Sequence, residues 1–152
     1  MPNVVTSDAN GIPKPPDILA LVGPGEPMPT CTFLRLFVDD DEVTRVDSGY
    51  NRTLATVDFA PPASPMFAAR LTDANAFVIV ELPVGWQGGW HPSPKEQWVI
   101  CLAGEMGYEA GDGTKFTLRP GTCILTTDTR GRGHNSWNAG AESVRLALVQ
   151  VT

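Results

Sequence analysis

The sequence predicts an all-β fold, a sandwich or barrel of short strands. Three observations predict it. Glycine and proline together supply 29 of the 152 residues, about 19% against an average near 12%, so the chain turns often. No window of about a dozen residues keeps the helical period of about 3.6. β-branched and aromatic runs recur at roughly 8–12-residue spacing, as in antiparallel sandwiches and barrels.

The elements follow in order. Residues 1–30 are rich in proline, with Pro13, Pro15 and Pro16 close together and Pro24, Pro27 and Pro29 after them. They read as an extended arm, with one short helical turn over Asp17–Val22. Residues 31–152 then read as a single domain. Thr32–Val38 is a β-rich strand, and the acidic stretch Asp39–Glu42 turns the chain. Leu54–Phe59 is a short run ended by Pro61-Pro62, and Met66–Leu71 is ambiguous. Ala76–Leu82 and Gln97–Leu102 are apolar strands, stopped by Pro83 and by Ala103-Gly104. Met106–Ala110 and Thr114–Arg119 flank Gly111-Asp112-Gly113, and an Asp-Gly pair is a strong hairpin signal. Pro120-Gly121 turns into Thr122–Thr126, and Val144–Val151 is a long final strand.

Composition narrows the function. With 42% hydrophobic and 18% charged residues, the chain is globular, and at this length it can bury roughly two-thirds of its unfolded surface. The formal charge is −6 and the isoelectric point about 4.7. No Lys/Arg cluster offers a nucleic-acid surface, and no apolar run reaches the roughly 20 residues of a membrane span. The start of the chain lacks the charged and apolar regions of a secretory signal. Cys31, Cys101 and Cys123 are widely and irregularly spaced, which suggests reduced thiols and a cytoplasmic protein.

Both histidines fall in glycine-rich stretches. Gly85 precedes His91 by five intervening residues, and Gln97 precedes Gly104 by six. Gly131, His134 and Asn138 follow the Pro120-Gly121 turn. Over residues 76–151 this frame resembles the cupin superfamily, whose first motif runs Gly, five residues, His-x-His, three or four residues, Glu, six residues, Gly. Its second motif ends Gly-x-x-His-x-x-x-Asn. The resemblance implies an antiparallel β-barrel of the jelly-roll type, with the Pro-rich arm added to it. It implies a homodimer as well.

The departures from that frame bear on chemistry. Metal-binding cupins use two His and a Glu from the first motif and one His from the second. Here Ser93 stands in place of the second His and Gln97 in place of the Glu. The resemblance therefore leaves His91, Gln97 and His134 as a ligand set without an anion, and the expectation is no cofactor or a weakly bound Fe, Ni, Zn or Mn. Alternation turns positions 91 and 93 to one face, and Gln97, Val99 and Cys101 to another, so Ser93, Val99 and Cys101 are expected at a pocket. Trp98 and Trp90 are out of phase and should point away, whereas Trp86 and Trp137 stand where they could line the mouth. Asp128 and Arg130 read as turn residues that could reach a substrate, and Asn138 as structural.

Imidazoles suit proton transfer at neutral pH. The leading expectation is an enzyme acting on a small organic substrate by acid/base chemistry (isomerase, dehydratase, cyclase or decarboxylase-like), with His91, His134 and Gln97 as its catalytic groups. The alternatives are a metal-dependent dioxygenase using His91, Gln97 and His134, and a non-catalytic domain that binds a small ligand.

Overall fold

In a computed structural model the described residues are 27–152, so most of the expected N-terminal arm lies outside them. Twelve strands form: β1 (Thr30–Val38), β2 (Thr44–Thr53), β3 (Ala55–Val57), β4 (Met66–Ala68), β5 (Ala74–Leu82), β6 (Gln87–His91), β7 (Gln97–Ala103), β8 (Met106–Glu109), β9 (Lys115–Leu118), β10 (Cys123–Thr126), β11 (His134–Asn138) and β12 (Val144–Val151). There is no helix among the described residues, hence none long and apolar enough to cross a membrane.

The described residues divide into two compact units. Residues 27–31 and 52–70 belong to one, and 32–51 with 71–152 to the other. In the smaller unit β3 and β4 pair antiparallel, Thr56 opposite Phe67, and the Leu54 amide donates to the Pro29 carbonyl at 2.8 Å.

The larger unit is built on two sheets. A six-stranded sheet runs β2-β1-β10-β7-β12-β5, and a four-stranded sheet runs β6-β11-β8-β9. No closed barrel joins them into one ladder among the described residues. The β1–β10 pair is parallel, Leu34 opposite Ile124, where an all-antiparallel barrel was expected. These strands are far apart in the chain, so no hairpin turn dictates their direction. The other described pairs in both sheets are antiparallel.

Period-two alternation supplies the core. Leu36 of β1, Val99 and Cys101 of β7, Ile124 of β10 and Val144 and Leu146 of β12 come from the larger sheet. Met106, Tyr108 and Leu118 come from the smaller one and pack in the same cluster. On the far face of β7, Trp98 meets Phe33 edge-on at 5.0 Å between ring centroids, so it points away from that cluster, as its phase requires. The outer strand β5 turns Phe77 and Ile79 to solvent, 69% and 50% exposed.

The acidic turn after β1 is organised by one side chain. Asp39 Oδ1 accepts from the Asp41 and Val43 amides at 3.0 and 2.9 Å, and Oδ2 accepts from Arg45 Nε. The Arg45 hydrogen bond, followed by that of the Val43 amide, holds the Asp39 carboxyl below the ordinary aspartate range. With the folded value below the unfolded one, the turn gains stability above the unfolded value and loses it as pH falls through the folded value. A carboxyl-detected NMR titration will show Asp39 protonating at lower pH than an unperturbed aspartate. Arg45→Ala will return it toward about 3.9, and an unchanged midpoint would refute the assignment.

Candidate functional site

The ends of β6 and β11 meet in register, with His134 opposite His91. The two imidazoles therefore face each other, ring centroids 4.8 Å apart. His91 Nδ1 lies 2.8 Å from the Gly89 carbonyl. A carbonyl can only accept, so Nδ1 carries the proton and Nε2 keeps its lone pair. His134 Nδ1 lies 2.6 Å from Asp128 Oδ2, which fixes the same tautomer there.

Asp128 is the centre of this arrangement. It is fully buried, and His134 beside it is 5% exposed. Its Oδ1 accepts from the Ser93 hydroxyl at 2.9 Å, and its backbone carbonyl accepts from the Ser93 amide at 2.9 Å. A buried carboxylate survives only when its oxygens are occupied, and here each has a donor. The sequence reading ranked Asp128 as a turn residue. Its signal was the alternation Ile124, Thr126, Asp128, which carries the inward face of β10 past the end of that strand, and all three are buried.

These groups border a cavity of about 170 Å³ between the two sheets. His91, Ser93, Gln97, Val99, Trp86 and His134 line it. Two expected residues do not. Trp137 lies on the opposite face of β11 from His134 and Ser136, and its indole packs over Gly107, where a Cβ would come within 2.4 Å of it. Cys101 has the expected phase but lies beyond the cavity, in the packed core with Leu36 and Leu118, and burial raises its thiol pKa. Trp90 points away, with the Arg132 guanidinium 3.7 Å from its ring centroid. Asn138 is structural, donating to the carbonyls of Leu82, Pro83 and Glu142.

Tyr108 is a lining residue that the sequence reading missed. It sits on β8, stacked on Phe116 at 5.1 Å, with its ring 5.4 Å from His134. Burial, reinforced by the charge of Asp128, pushes its phenol well above the ordinary range, so the hydroxyl stays protonated.

The donor set does not match a catalytic divalent ion. Such sites take three protein ligands, commonly including an anion or a third imidazole. The cavity offers two imidazoles and the neutral Gln97 amide, whose Oε1 already lies 3.5 Å from Gln150 Nε2. Among the described residues, the neighbouring carboxylate, Asp128, is held by Ser93 and His134. Among the described residues, no group of three or more His, Cys, Asp and Glu side chains is placed to hold a metal.

The class defined by this fold is an all-β protein with an internal, partly polar cavity between two sheets. Residues 78–150 match the family model described as Cupin domain, which places that stretch of the chain in the cupin superfamily. Among solved structures, the protein NMB1881 from Neisseria meningitidis is 21% identical, with 50% of this chain and 72% of that chain covered and a TM-score of 0.40. The cupin domain of Schizosaccharomyces pombe Cnp3 is 18% identical, with 81% and 83% covered and a TM-score of 0.42. No curated protein matches the sequence.

Proposed function

We propose that the cavity is an acid/base active site for a small organic molecule, with His134 as the proton carrier. The observation that supports this is the buried Asp128–His134 hydrogen bond at the cavity wall. Asp128 holds the proton on Nδ1 and leaves the Nε2 lone pair available. His134 takes a proton from carbon next to a substrate carbonyl, and Asp128 stabilises the imidazolium that forms. The electron pair moves onto the carbonyl oxygen as an enolate, which the Gln97 amide N–H or a neighbouring donor steadies. In a substrate with a carbon–carbon double bond one position further on, the enolate is conjugated, and return of the proton to its γ-carbon shifts the double bond into conjugation with the re-formed carbonyl, an isomerisation with no cofactor consumed. His91, facing His134, is the second proton-accepting group.

The test is exchange of substrate hydrogen. In D₂O, NMR follows deuterium uptake by a panel of small ketones, aldehydes and 2-oxo acids. The protein will accelerate exchange for at least one of them, and His134→Ala will lower that rate by roughly 10²–10⁴-fold. Rates no higher than buffer across the panel, or an unchanged rate in His134→Ala, would overturn the proposal.

A further inference from the structure

The charge around the cavity constrains what can enter it. Among the described residues, no Lys, Arg, Asp or Glu lines it. Asp128 stands behind His134 and Ser93, and the Asp128–His134 pair is either negative or neutral, wherever the shared proton sits. The nearby guanidiniums are engaged elsewhere, Arg132 on the Trp90 ring and Arg130 with Glu42 at 3.4 Å. Carboxylates and phosphates are recognised by forked guanidinium or ammonium donors. An anion placed here would be desolvated beside a buried carboxylate, without such a partner.

Size and polarity narrow the choice further. A dry cavity of about 150 Å³ accepts benzene, and this one is about 170 Å³. Leu82, Leu146, Leu148 and Trp86 give it an apolar wall. The polar wall holds the two imidazoles and Tyr108. Tyr108 lines the cavity with its ring stacked on Phe116. A protonated phenol at a cavity wall is a donor for a ligand oxygen.

We infer that the site takes an uncharged, single-ring compound whose carbonyl or hydroxyl oxygen accepts from Tyr108 beside His91 and His134, and that it rejects the matching carboxylates and phosphates. This substrate class rests on the cavity proposed above as the active site.

Benzamide and benzoate test it, being nearly identical in shape and differing in charge at neutral pH. In calorimetric titrations of the full chain, benzamide will bind at least about tenfold more tightly than benzoate. Tyr108→Phe keeps the ring stacked on Phe116 and removes only the hydroxyl, so it will weaken benzamide about three- to tenfold. Shifts of the Trp86 indole resonance will place the ligand in the cavity. Equal or tighter binding of benzoate, no effect of Tyr108→Phe, or no binding of either probe would overturn the inference. Selective benzamide binding without any catalysed hydrogen exchange would remove the acid/base reading and leave the ligand class standing. Catalysed exchange with benzoate bound more tightly would do the reverse.

Discussion

Asp128→Asn will leave the fold standing and switch His134 to its other tautomer. The asparagine oxygen can still accept from Ser93 Oγ, which donates to Asp128 Oδ1 at 2.9 Å. Its NH₂ group then faces His134 Nδ1, where the carboxylate oxygen lay at 2.6 Å. Nδ1 must accept, the ring proton moves to Nε2, and the lone pair at the cavity is lost. Hydrogen exchange in a responsive substrate should fall by roughly 10²–10⁴-fold, as expected for loss of a positioned base. Long-range ¹H–¹⁵N correlation spectra read the tautomer without any substrate: Nδ1–H in the parent protein, Nε2–H in the variant. Nε2–H in the parent would defeat the assignment. Asp128→Ala is expected to behave differently. It strands two buried donors, Ser93 Oγ and His134 Nδ1, and will cost about 3 kcal/mol of stability.

Gly133→Ala will produce the largest loss of stability among glycine substitutions in the turn before β11. The residue has a φ of +76°, and a Cβ there would stand 2.0 Å from the His91 carbonyl oxygen and 2.3 Å from the Pro92 nitrogen. Both obstacles are backbone, so no rotamer change relieves them. The left-handed conformation alone costs roughly 1–2 kcal/mol. The clash must be relieved by separating β6 from β11, which breaks the His91–His134 register as well. A total of about 4 kcal/mol would lower the melting temperature by about 10 °C in a domain of this size. Gly113 provides the control. Its φ is +88°, yet nothing lies within 4 Å of the added Cβ, so Gly113→Ala should cost only about 1–2 kcal/mol. Equal losses at the two positions would show that the close approach to His91 carries no weight.

The strands visible in the sequence were those whose burial is apolar. Ala74–Leu82, Gln97–Ala103 and Val144–Val151 hold Val, Ile and Leu runs and pair with one another in the larger sheet. The hairpin of β8 and β9 followed from its Asp-Gly turn. The strands that were missed are polar or glycine-rich: Thr44–Thr53, Gln87–His91 and His134–Asn138. Strand propensity is poor in such segments, and only pairing with neighbours holds them. Two of them carry the facing histidines. His91 and His134 were legible through motif spacing and through nothing in the local propensity. Alternation puts Gln97, Val99 and Cys101 on one face, yet only Gln97 and Val99 line the cavity, because phase selects a face and says nothing of where along the strand a cavity ends. Asp128 was hidden for a different reason. Aspartate among Thr, Arg and Gly reads as turn chemistry, and its burial depends on two partners, one 35 residues earlier in the chain and one six residues later.

The strand order also sets a timetable for synthesis. Leu34 of β1 pairs with Ile124 of β10, and β5 is joined to its sheet through β12. At roughly 5–20 residues per second, β1 leaves the ribosome several seconds before its parallel neighbour exists. β5 waits through six further strands for β12. During that interval β5 offers a nascent chain, or a passing chaperone, an apolar ribbon with both edges open. Its fully translated partner strand then closes one of them.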